Sequence, residues 1–130
     1  MNKKVVYWLD LADDDLGAAK ALLKSKHYLH MGFFCHLVIE KSLKAVIANN
    51  TDEIPPKIHD LPKLAVIGGI WDRLSAEQKN LIKIVVPLQI EARYPEYKER
   101  IASTLTFEFC AKLLNETEDF LCWIKKLSEK

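Results

Sequence analysis

Four histidines, three cysteines and one charged run inside a predicted helix hold most of the chemical potential of this chain. His27, His30, Cys35 and His36 lie close together, and His27-x-x-His30 has a spacing compatible with a metal ligand pair. His27 and His30 fall at a helix–helix turn, however, and neither a second carboxylate nor a cysteine pair completes a tetrahedral set. They read as helix-end histidines, with Cys35 at the edge of a core, and no metal is expected. His59 stands in Lys57-Ile58-His59-Asp60-Leu61, between a proline loop and a short helix. At such a junction a histidine either caps backbone groups or enters a ligand pocket. Glu40, Lys41 and Lys44 form a charged group between apolar turns of one helix. Glu40 and Lys44 are four positions apart, in the order that favours an ion pair worth roughly 0.2–0.5 kcal/mol. The alternative is that Arg93 and Tyr94 fold back over this face to make a polar pocket. An arginine and lysines beside an aromatic ring suit a phosphate or a nucleotide.

Other catalytic arrangements are missing from the sequence. There is no strand–turn–helix serine elbow and no cysteine with an evident histidine–carboxylate set. Gly68-Gly69 has no following Lys-Ser/Thr, so it is not a phosphate-cradling loop. No pair of carboxylates stands out from the rest. The expectation is a protein without a self-contained catalytic site and without a cofactor.

The elements that must position these residues are helical. Val5, Trp8, Leu9, Ala12, Leu16, Ala19, Leu22 and Leu23 recur at steps of three and four, forming one apolar stripe. Asp10, Asp13, Asp14 and Asp15 lie early in that helix, and Lys20, Lys24 and Lys26 lie late, a gradient suited to the helix dipole. The acids read as a solvated face rather than a metal site. A second helix is predicted from about Leu29 to Asn49, with Phe33, Phe34, Leu37, Leu43, Val46 and Ile47 as its core stripe. After the Pro55-Pro56 loop, Asp60 is placed to cap a short helix that accepts Pro62 in its first turn and ends at Gly68-Gly69. Ser75 with Gln78 is a capping box, opening a helix over Leu81, Ile82, Val85 and Val86 that Pro87 is expected to end or kink. Residues 88–103 are ambiguous, because Arg93-Tyr94-Pro95 breaks a helix there. The last helix is predicted to begin near Thr106, with Phe107, Cys110, Leu114, Thr117, Leu121 and Ile124 on its buried side. Trp71 and Trp123 are open between core and interface. The fold expected is all-α: an up-and-down bundle of about five helices, two long at the N-terminal end, short central ones and a long closing helix.

Composition agrees with this class and bounds the function. The chain has 130 residues, 49% of them hydrophobic and 28% charged, which is enough for a core without metals or disulfides. Four glycines and five prolines leave little room for the turns of a β-sandwich. Nineteen basic against eighteen acidic residues give a net charge of +1, without the basic excess expected of a strong binder of duplex nucleic acid. The odd number of cysteines, Cys35, Cys110 and Cys122, predicts free and mostly buried thiols in a reducing cytoplasm. No apolar run is long enough for a signal peptide or a membrane span.

Several short motifs follow one another in a telling order. Trp8 with Ala12, Asp15 and Leu16 comes first, then Tyr28 with Phe33-Phe34. Glu40-Lys41-Ser42-Leu43-Lys44-Ala45, His59-Asp60-Leu61 and Ala92-Arg93-Tyr94-Pro95 follow. In order and spacing the chain resembles the HEPN domain family (higher eukaryotes and prokaryotes nucleotide-binding) over nearly its whole length, so residues 1–130 are expected to form one such domain. The resemblance implies a helical bundle that often dimerises. It also implies a partner, since members are commonly encoded beside a minimal nucleotidyltransferase and many such pairs act as toxin–antitoxin systems. The nuclease branch carries an arginine followed, four to six residues on, by a histidine, as a metal-independent ribonuclease site. Here Arg73, Arg93 and Arg100 have no histidine downstream, and His59 is the last in the chain. General acid–base cleavage through that motif would lack one of its two groups. The resemblance is therefore to the non-nuclease branch, and Glu40, Lys44, His59, Arg93 and Tyr94, with Lys41 beside them, are carried over as pocket or interface candidates.

Overall fold

Local chemistry sets most helix ends in the computed structural model, which describes residues 2–91 and 103–129. The first helix, α1 (Lys3–Lys24), starts where the side chain of Asn2 accepts a hydrogen bond from the Lys4 amide at 2.7 Å. It ends with Lys26 at φ 65°, which lets the His27 amide donate back to the Leu22 carbonyl at 2.8 Å. Helix α2 (Tyr28–Asn50) follows at once and stops at Thr51, whose hydroxyl and amide both donate to the Ile47 carbonyl.

The expected caps downstream are all present. The Asp60 side chain accepts from the Lys63 amide at 3.1 Å and opens α3 (Leu61–Ile67), which Gly68 and Gly69 close. A 3₁₀ turn over Trp71–Arg73 leads to the capping box. There the Ser75 amide donates to Gln78 at 2.8 Å and the Gln78 amide donates to the Ser75 hydroxyl at 3.1 Å. Helix α4 (Ala76–Glu91) runs on through Pro87 rather than ending there. Pro87 and Lys83 are both exposed, so the carbonyl deprived of its helical donor lies on the wet side, where water can replace it. Thr106 caps α5 (Phe107–Ser128) through the Phe109 amide at 3.2 Å. Among the described residues there is no β-strand.

The bundle is organised around α2, which packs against α1, α3, α4 and α5. That position overturns the stripe expected on this helix. Phe33, Phe34 and Leu37 are only half-buried, whereas Met31, Cys35, Val38 and Ile39 are fully enclosed together with Leu43, Val46 and Ile47. A helix covered on most sides has no single apolar face to read. By contrast α1 buries Val5, Leu9, Ala12, Leu16 and Ala19, the stripe its periodicity predicts. Helix α5 buries Cys110, Leu114, Thr117, Leu121 and Ile124 as expected, but Phe107 is 51% exposed at its first turn.

Ion pairs show the helix directions. Asp13 meets Lys125 at 2.7 Å and Lys20 meets Glu118 at 2.9 Å, so α1 and α5 run antiparallel. Lys41 pairs with Asp15 across α1 and α2. The acidic run on α1 is thus not merely a solvated face: two of its carboxylates join helices. Trp71 and Trp123 are half-buried against the core. Cys35 and Cys110 are buried, Cys122 is exposed, and all three thiols are free. Among the described residues, no helix is long and apolar enough to cross a membrane.

Candidate functional site

The middle of α2 carries His36, Glu40 and Lys44 at successive steps of four, which places all three on one side of the helix. All are buried, at 1%, 4% and 7% exposure, although charged groups are seldom enclosed unless paired. Glu40 is the centre. Its Oε2 accepts from Lys44 Nζ at 3.1 Å. Its Oε1 accepts from His59 Nδ1 at 2.9 Å and lies 3.7 Å from His36 Nδ1.

Each partner is delivered by a different local device. The α2 residues are positioned by helical spacing alone. His59 comes from the loop before α3, held in place by the Asp60 cap next to it. The cap thus belongs to Asp60, and the ring of His59 is left to reach Glu40 instead. Helix α1 adds Trp8, whose ring centroid lies 5.5 Å from Lys44 Nζ. An ammonium over an indole gains up to about 2 kcal/mol when partly desolvated. Carboxylate and indole therefore share the environment of one buried lysine, and the imidazole of His59 bonds the other oxygen of that carboxylate.

The arrangement fixes the chemistry available to His59. An ionised carboxylate only accepts, so Nδ1 carries the proton and Nε2 is the nitrogen not engaged by Glu40. The side chain of His59 is 51% exposed, against 5% for Glu40. A buried carboxylate thus orients a half-exposed imidazole, which can accept or donate a proton or bind an anion.

Of the residues singled out from sequence, Glu40, Lys44 and His59 come together. Lys41 does not join them, because its ammonium is held by Asp15 of α1. Arg93 and Tyr94 lie outside the described residues. Two members of the cluster were not singled out for the site. The step of four from His36 to Glu40 is legible in the sequence, but closeness to His27 and His30 draws His36 into the helix-end group. Trp8 belongs to the apolar stripe of α1, and nothing local announces its place under Lys44. Among the described residues, no cluster of histidine, cysteine and carboxylate groups is suited to a metal ion.

The HEPN domain model matches residues 5–127. The chain belongs to the HEPN family. The match runs from the start of α1 to the end of α5, so the buried Glu40 cluster lies within the HEPN domain itself. No curated protein and no solved structure matches this HEPN chain.

Proposed function

We propose that this HEPN domain is a binding and partner module rather than a nuclease. It works as a homodimer with a separately encoded minimal nucleotidyltransferase in a toxin–antitoxin type pair. The Glu40–Lys44–His59 cluster, with Trp8 behind it, holds a nucleotide or the group that accepts one. The observation that carries this reading is the buried carboxylate of Glu40 holding a half-exposed His59. Enclosing charges costs several kcal/mol per ion unless they are paired, and here the enclosed pair leaves one imbalance in exposure: Glu40 is buried while the imidazole it holds reaches solvent. The missing arginine–histidine pair supports the non-nuclease branch. Arg93 and Tyr94 complete the pocket in this proposal.

Co-expression with the transferase encoded beside the gene, followed by size exclusion and pull-down, tests the partnership. Failure to form any complex would count against it. A thermal-shift screen against nucleotides tests the ligand, since a ligand at a hundred times its Kd stabilises by about 2.7 kcal/mol. No shift with any nucleotide would leave a purely structural scaffold in which these residues only lock the bundle.

The Glu40–His59 hydrogen bond also favours a second activity, cleavage of RNA by a degenerate site with His59 as general base. Incubating RNA with wild-type and His59→Ala protein separates the two. Cleavage that the substitution abolishes would reverse the ranking.

A further inference from the structure

The N-terminal turns of α1 and the loop after α2 form the two walls of an open groove of about 340 Å³. Lys3, Lys4, Tyr7 and Trp8 make one wall; Ile54 and Pro55 make the other. Its apolar surface is unusually bare. Ile54 is 80% exposed, Tyr7 58% and the neighbouring Val6 38%. Single exposed apolar residues are ordinary, but a contiguous group rimmed by charge marks a contact surface.

The charges on the rim are sorted by wall. Lys3 and Lys4 occupy the first turn of α1, which has no acidic residue, so they sit against the positive end of the helix dipole. On the opposite wall Asp52 and Glu53 immediately precede Ile54 and are exposed. The Glu53 amide donates to the Thr51 hydroxyl at 3.2 Å, tying the acids to the end of α2. None of these four charges takes part in an ion pair among the described residues. A groove with cations on one wall, anions on the other and apolar residues between is complementary to a copy of itself turned about a two-fold axis.

We propose that this face docks a second copy of the chain. The α1 wall of each protomer meets the loop wall of the other. Tyr7 and Ile54 form the apolar centre, and Lys3 and Lys4 face Asp52 and Glu53 of the partner subunit. The contact rests on the dimeric reading above and gives it a location. It also reaches the candidate site, because Trp8 lines the groove and lies under Lys44. Docking a second copy removes water from the flank of the Glu40 cluster.

Sedimentation equilibrium over a concentration series is the test, using wild type, Ile54→Asp, the double variant K3E/K4E and the double variant D52K/E53K. All substituted residues are exposed, and circular dichroism melts check that each variant folds. Wild type is expected to be a dimer. Each variant is expected to dissociate with a constant raised at least about tenfold: the double variants set like charges face to face, and Ile54→Asp puts a carboxylate into the apolar centre. Mixing K3E/K4E with D52K/E53K is expected to give a one-to-one heterodimer, because both contacts are then opposite in sign. A wild-type dimer that survives the substitutions, or a mixture that forms no heterodimer, overturns this face while leaving the dimeric reading intact. A wild type that is monomeric at every concentration overturns both.

Discussion

His59 Nδ1 donates to Glu40 Oε1 at 2.9 Å, joining a half-exposed loop residue to a carboxylate enclosed in the central helix. The two partners should respond very differently to substitution. Glu40→Gln leaves Lys44 enclosed without its counter-charge and is expected to cost about 3 kcal/mol of stability. His59→Ala leaves the Glu40–Lys44 pair intact and, being partly solvated, should cost no more than about 1 kcal/mol. Urea denaturation of both variants checks the contrast. Equal losses would show that His59 is a structural tie and not a residue turned toward a ligand.

Thiol chemistry offers a second measurement. Burial pushes the Cys35 thiol from an ordinary value of 9.0 up to about 12, outweighing a hydrogen bond with Thr117 that acts in the other direction. Burial raises Cys110 to about 11. Exposed Cys122 should therefore be the single thiol that reacts with a disulfide reagent in the native protein. The other two should react only on unfolding. Rapid labelling of all three would contradict the packing of α2 against α5.

The same shift has a consequence for alkaline stability. A thiol whose pKa is raised on folding stabilises the native state fully below pH 9, where both states keep the proton. Above that the unfolded chain ionises first, and the contribution is lost as pH climbs toward 12. The slope attributable to Cys35 is about 1.4 kcal/mol per pH unit. Urea titrations at pH 8 and pH 10 should show a shallower alkaline loss in Cys35→Ala than in wild type. Parallel losses would reject the assignment.

Backbone substitutions form a matched set. Gly17 is exposed within α1, and a Cβ there would meet no atom within 4 Å, so Gly17→Ala should stabilise by about 1 kcal/mol. Gly69 has φ 76°, and Gly69→Ala should destabilise by about 1 kcal/mol. Lys26 holds φ 65° without being glycine, so Lys26→Gly should raise stability by a similar amount, about 1 kcal/mol. Thermal melts of the three variants give the signs directly.

The helix ends were readable because a cap is a property of three or four consecutive residues. Ser75 with Gln78, Asp60, Thr106 and the Gly68-Gly69 pair each carry their own hydrogen-bonding or dihedral requirement. The burial of α2 was not readable, because it depends on neighbours on most sides rather than on the spacing of its own apolar residues. The candidate site divides along the same line. Glu40 and Lys44 are one helical turn apart and could be paired on paper. The bond from His59 spans nineteen positions, and Trp8 approaches Lys44 from another helix. Lys41 stands next to Glu40 and has no acid one helical turn away, so its partner Asp15 on α1 could not be read from local spacing.

Because the Glu40 cluster is built on the helix that every other long helix packs against, it cannot loosen locally. Its opening free energy should approach that of the whole domain, and amides around Glu40 and Lys44 should be among the last to exchange with deuterium. Any molecule that uses this site meets a preformed surface. Its association rate should therefore be governed by diffusion and access past His59, not by a conformational step within α2.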